Sequence, residues 1–302
     1  MNAKKSGLTV IEILVVVSII ALLAGMLLPA VHTVQKMAKE TKQKAQLTAI
    51  ELGLATFKND YGDYPPSDWT DPRVPGAAKD YCGAQKLAEA LLGWDLLGFH
   101  PDSAWRGDGL DRTGGPTTYD PLKVNPPNVT LDKRKGRYLE LDMANAFRLG
   151  DSRPGAMDGL FVTTQPLTPY THVLCDVFTV NERKILLGSG KPVSPGSPIL
   201  YYRANPAKKT IDPALLPEDN IYNARDNWPL LSLRRLADTG RPVVNPLTNV
   251  HPLENFNNFY EYIRDPRVQA RAWPYRPDSY ILISAGADGL YGTNDDIRNF
   301  GQ

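Results

Sequence analysis

The sequence predicts an α+β chain in which one very long N-terminal helix leads into a large, proline-rich globular head with short strands. Three observations carry this. Leu8–Leu28 is almost wholly apolar. Residues 30–58 contain no proline and repeat apolar positions at three- and four-residue steps, which is helical periodicity. Of 26 prolines, 25 lie beyond residue 60, where turn formers separate short apolar runs. With 302 residues, 42% hydrophobic and 22% charged, the chain has material for a substantial core and is not broadly disordered. Its 34 Lys+Arg against 33 Asp+Glu, a net +1, give no basic field, so no nucleic-acid partner is expected.

The first element reads LTVIEILVVVSIIALLAGMLL, with Thr9, Glu12, Ser18 and Gly25 as its non-apolar residues. At 1.5 Å per residue this is about the length that crosses a bilayer. Lys4 and Lys5 precede it and favour a cytoplasmic N-terminus, although Lys36, Lys39, Lys42 and Lys44 weaken the asymmetry. The run is longer than a cleaved secretory signal, and no cysteine follows LLAG as a lipoprotein signal requires. A plain one-pass anchor fits the length but leaves Glu12 without a partner, and an acid in such a setting costs about 2.5–3.5 kcal/mol at its centre.

The helix is expected to continue through residues 30–59, with Val31, Val34, Leu47, Ile50, Leu54 and Phe57 along its apolar face. Unbroken from Leu8 to Asn59 it would span roughly 75–80 Å. Asn59-Asp60-Tyr61-Gly62-Asp63-Tyr64-Pro65-Pro66 stops it. Beyond lie an expected helix at Cys82–Leu92, another at Leu253–Asp265, and strands at Tyr138–Leu141, Gly159–Thr164, Val173–Val180, Ile199–Arg203, Val243–Val244 and Tyr280–Ser284.

After that last strand, Asp288, Asp295 and Asp296 lie in a loop with glycines at 286, 289 and 292. The loop is not an EF-hand. Its oxygen donors suit a hard cation such as calcium, the carboxylates supplying charge and the Leu290 and Thr293 carbonyls completing the shell. The plainer reading is a surface turn in which the acids cap backbone groups.

Lys5-Ser6-Gly7 followed by Leu8-Thr9-Val10-Ile11-Glu12 resembles the leader of type IV pilins and type II secretion pseudopilins. The NDYGDYPP segment and the ending from Ser284 to Phe300 resemble the major pseudopilin. The likeness covers residues 1–66 and 278–302. It implies that residues 1–7 are a prepilin leader, cut between Gly7 and Leu8 by prepilin peptidase with methylation of the new N-terminus. By the same likeness Glu12 pairs with the N-terminal amine of a neighbouring subunit, and Pro29 lets the helix kink. Residues 8–29 become the membrane-spanning half, 30–59 the amphipathic half, and 60–302 a head with an antiparallel β-sheet. Within that head, 66–277 is an enlargement and 278–302 carries structural calcium. Leu8 stands where the family usually has Phe.

The expected function is a non-enzymatic structural subunit of a type II secretion pseudopilus or related filament. Its partners would be prepilin peptidase, other pilin subunits, an inner-membrane assembly platform and the lipid bilayer. It would sit in a bacterial inner membrane with its head in the periplasm. A membrane-tethered enzyme or binding protein on a borrowed stalk, and a minor pilin, are the alternatives. In an exported head, Cys82 and Cys175 either form a disulfide or remain two buried thiols. Four histidines without metal-ligand spacing argue against zinc, and Gly188-Ser-Gly-Lys191 lacks a phosphate-binding frame.

Overall fold

A computed structural model describes residues 9–69, 80–109, 118–119, 131–153, 155–240 and 250–301, apart from the side chains of Met26, Leu28, Pro29, Ala30 and His32. The chain divides into two compact units, Met1–Lys42 and Gln43–Gln302. Helix α1, Val10–Tyr61, contributes residues to both.

In the first unit α1 opens on Thr9 and exposes its large apolar side chains to solvent, from Val10 (80%) through Leu14 (64%) to Leu27 (64%). The membrane-spanning half expected for residues 8–29 is overturned: among the described residues no helix is long and apolar enough to cross a membrane. The single-pass inner-membrane placement with a periplasmic head falls with it.

The second unit is built around one strand pair. Strand β5 (Leu200–Arg203) runs antiparallel to β6 (Tyr280–Ser284), with Tyr201 opposite Leu282, and β6 continues onto β7 (Ile297–Arg298). Side chains alternate between the two faces of a strand. Here both faces are covered, which is why Tyr280–Ser284 is buried throughout. On one face Tyr201 and Leu282 pack with Leu47, Ile50 and Leu54 of α1 and with Leu87 and Leu91 of α2, Gly83–Leu92. On the other, Leu200, Tyr202, Ile281 and Ile283 pack with Phe259 and Ile263 of α5, Phe256–Ile263.

Gly53 allows α1 to come close at this contact. A Cβ there would lie 3.0 Å from both the Leu91 side chain and the Tyr138 carbonyl. Gln46 crosses the same surface, its amide donating to the Ala144 and Cys175 carbonyls at 3.2 and 2.9 Å.

The rest is short pieces joined by loops: α3 (Leu141–Ala144), α4 (Trp228–Leu231), the antiparallel pair β1 (Ala146–Arg148) and β2 (His172–Leu174), and the pair β3 (Ile185–Leu186) and β4 (Pro192–Val193). In place of a single sheet there are thus three small ones among the described residues. Several expected strands shrink. Tyr138–Leu141 leads into α3, and Gly159–Thr164 keeps one bridge, Phe161 to Gly150. Val173–Val180 stops early because Asp176 turns its carboxylate back onto the Phe178 amide. Val243–Val244 lies outside the described residues.

Candidate functional site

The loop after β6 gathers the three acids singled out from the sequence. Gly286 has φ +64°, and a Cβ there would strike the Asp295 carbonyl, so the turn needs glycine. Asp295 spans the loop: its Oδ2 accepts the Ala287 and Asp288 amides at 2.8 and 3.0 Å, and its Oδ1 accepts the Thr293 hydroxyl at 2.6 Å. Asp288 Oδ1 accepts the Leu290 amide at 2.7 Å. Asp296 Oδ2 accepts the Gly292 amide at 2.7 Å and the Tyr262 hydroxyl at 2.5 Å, while its Oδ1 is buried without a partner.

These surroundings separate the three carboxyls. Burial raises Asp288, with the nearby Asp295 charge adding to it. Burial also pushes on Asp295, but the Thr293 hydroxyl and the Asp288 and Ala287 amides outweigh it and hold this carboxyl below its ordinary value. Asp296 is pushed up to about 7, chiefly by burial. Among the described residues no group of three or more His, Cys, Asp or Glu is arranged to hold a metal. The acids instead act as acceptors for the loop's own amides, the turn-capping role that their residue types also suggest. The all-oxygen donor set and the orphaned Asp296 Oδ1 remain compatible with calcium.

At the other end of the chain, Glu12 is fully exposed and closes a capping box. Its carboxylate accepts the Thr9 amide at 2.8 Å and the Thr9 hydroxyl at 2.9 Å. The Thr9 amide and then its hydroxyl hold Glu12 below its ordinary value. The spacing Thr-x-x-Glu is itself a helix-start signature, a local role the sequence reading did not assign it. Gly7 and Leu8 lie outside the described residues, as does the side chain of Pro29, whose position falls within α1.

Cys82 and Cys175 are both buried and free. Cys82 caps α2, where its amide donates to Gln85 Oε1 at 2.9 Å, and Cys175 bridges to Pro198. Burial pushes the Cys82 thiol up to about 11 and raises Cys175 as well.

Three fully buried carboxyls escaped the sequence reading. Glu89 accepts the Tyr81 hydroxyl at 2.7 Å and is hydrogen-bonded to the Ser103 hydroxyl. Asp176 accepts the Phe178 and Ser197 amides at 3.1 Å each and the Ser284 hydroxyl at 3.0 Å. Asp226 accepts the Ser67 hydroxyl. Their partners lie from two to 159 residues away, with no common spacing that would announce them.

No protein-family model matches the chain, and neither does any curated protein or solved structure.

Proposed function

We propose that the chain is a structural subunit of a pilin-like filament of the type II secretion pseudopilus kind, built by packing of its N-terminal helices. The supporting observation is the unburied apolar series on α1. Val10, Ile11, Leu14, Leu22 and Leu23 are each more than half exposed, and so are Ile19 and Ile20. An apolar surface of this extent marks an interaction site. Identical helices supply cover of the same chemistry, as in any helical array of one subunit. Glu12 then carries a charge into that array, where the amine of a neighbouring chain is a fitting partner.

Maturation by prepilin peptidase between Gly7 and Leu8 belongs to this reading. Mass spectrometry of protein purified from cells tests it. The expected product begins at an N-methylated Leu8, and Gly7→Ala accumulates the unprocessed chain. Full-length protein still carrying Met1–Gly7 within assembled fibres would defeat the reading.

The acidic loop has a supporting part. Asp288, Asp295 and Asp296, with the Leu290 and Thr293 carbonyls, would hold a calcium ion that neutralises the crowded carboxylates and rigidifies the chain end. Its role would be structural.

A further inference from the structure

Pro66–Asp68, the segment from Arg203 to Pro206 after β5, and the turns between Glu218 and Asp226 enclose a cavity of about 430 Å³. That size falls within the roughly 300–1,000 Å³ range of small-molecule sites. Its charged lining is mostly balanced. Asp68 meets the Lys86 ammonium at 3.3 Å, Glu218 meets Arg225 at 3.6 Å, and Arg203 pairs with Asp63.

Asp226 is the exception. It is 3% exposed, its Oδ2 accepts the Ser67 hydroxyl, and its Oδ1 is buried with no hydrogen-bond partner. No cationic side chain among the described residues lies within ion-pair distance of it.

The neighbouring donors are already committed. Ser67 Oγ accepts the Arg203 amide at 2.9 Å, which directs its one proton to Asp226. The Asn220 amide group donates to the Asp212 and Leu216 carbonyls at 3.1 Å each. That of Asn227 donates to the Tyr201 carbonyl at 2.6 Å. A buried carboxylate oxygen without a donor is costly, and among the described residues no further N–H or O–H is placed to supply one. A metal ion is a poor occupant, because no three ligating side chains converge among the described residues. With Asp68 and Glu218 already paired, Asp226 is the lining acid left without an ion-pair partner among the described residues, which favours a cation over a neutral hydroxyl.

We propose that this cavity binds a small organic cation, an ammonium or guanidinium group that donates to Asp226 Oδ1 with Glu218 at the rim. The site lies wholly within the second unit and is independent of helix assembly.

The test is calorimetric titration of the full chain with agmatine, which carries both cationic groups, beside glycerol as the neutral control. Saturable agmatine binding that weakens with added salt is expected, with no binding of glycerol. Asp226→Asn removes the charge at nearly constant shape and should weaken agmatine about tenfold, the worth of one charge-assisted hydrogen bond. Glu218→Gln, at a half-exposed position, should weaken it about two- to threefold. Absence of binding at millimolar agmatine, equal binding of glycerol, or unchanged affinity in folded Asp226→Asn would each overturn the proposal. If Asp226→Asn does not fold, amide-shift mapping on the unaltered chain decides. Perturbations at Ser67, Asn223 and Asp226 support the site, and perturbations confined elsewhere refute it.

Discussion

Arg276 Nη1 donates to Glu51 Oε1 at 2.6 Å, joining residues 225 positions apart in the chain. Asn299 adds a second bond to the same oxygen at 3.0 Å, and Arg276 also donates to the Asn299 carbonyl at 3.0 Å. The chain end is thereby fastened to α1 beside the buried row Leu47, Ile50 and Leu54. About a third of each charged side chain remains exposed. Solvent therefore screens the pair, and its worth lies mainly in the connected hydrogen bonds. Glu51→Ala and Arg276→Ala are each expected to cost about 1 kcal/mol. In urea denaturation the double variant should lose less than the two single losses combined; strict additivity would show that the pair does not couple.

Three buried carboxyls and two buried histidines make stability depend on pH, in opposite directions. Burial raises Glu89 and Asp226 to about 7 and Asp176 to about 8, against ordinary values of 4.5, 3.8 and 3.8. The folded chain thus holds protons that the unfolded chain releases, and stability falls as pH rises towards 8. His172 and His251 act oppositely: burial lowers both from 6.5 to about 4, so their effect is to raise stability between pH 4 and 6.5. Below 6.5 the two sets compete; above it the carboxyls act alone. Denaturant midpoints measured with a chelator present should fall from pH 6.5 to 8. Asp176→Asn should flatten that slope, and a midpoint rising over this interval would contradict the assignment.

Calcium should raise the melting temperature of the chain, and a chelator should reverse the rise. Asp296→Asn and Asp295→Ala are expected to abolish the response. Asp295→Ala should also destabilise the metal-free chain, since it strands the Ala287 and Asp288 amides at a cost of about 1–3 kcal/mol. Equal melting with and without the ion would leave the loop as a self-capped turn.

The observed cap and the proposed filament pairing of Glu12 can be separated by substitution. Glutamine also closes a capping box, so Glu12→Gln should keep the helix start intact and leave helicity by circular dichroism unchanged. It removes the charge, and with it the proposed pairing to a neighbouring amine, so sedimentable filaments should be lost. Glu12→Leu should lose both. Filament yield from Glu12→Gln equal to that of the unaltered chain would confine the acid to its cap.

What was legible in the sequence is what local pattern controls. Tyr280–Ser284 is a strand as expected, and the periodic row Leu47, Ile50, Leu54 and Phe57 is buried. Helix α2 begins one residue after the expected Cys82. Hydrophobic period decides such elements. The segments at 138–141 and 159–164 carry apolar residues too, but their backbone groups find partners in turns and a lone bridge. That pairing depends on residues distant in sequence. At the acidic loop, composition located the three carboxylates, yet could not show that Asp295 spends both oxygens on the loop itself. Asp226 was illegible altogether, because Ser67 stands 159 residues away.

The two buried thiols turn the head into its own reporter. Cys82 sits at the start of α2 and Cys175 beside β2, on different elements of one core, and neither forms an appreciable thiolate while enclosed. Alkylating reagents can reach them only through openings of the fold. With one cysteine replaced at a time, labelling rates would measure how often each wall of that core breathes, and matching rates would mean that the head opens as a single cooperative body.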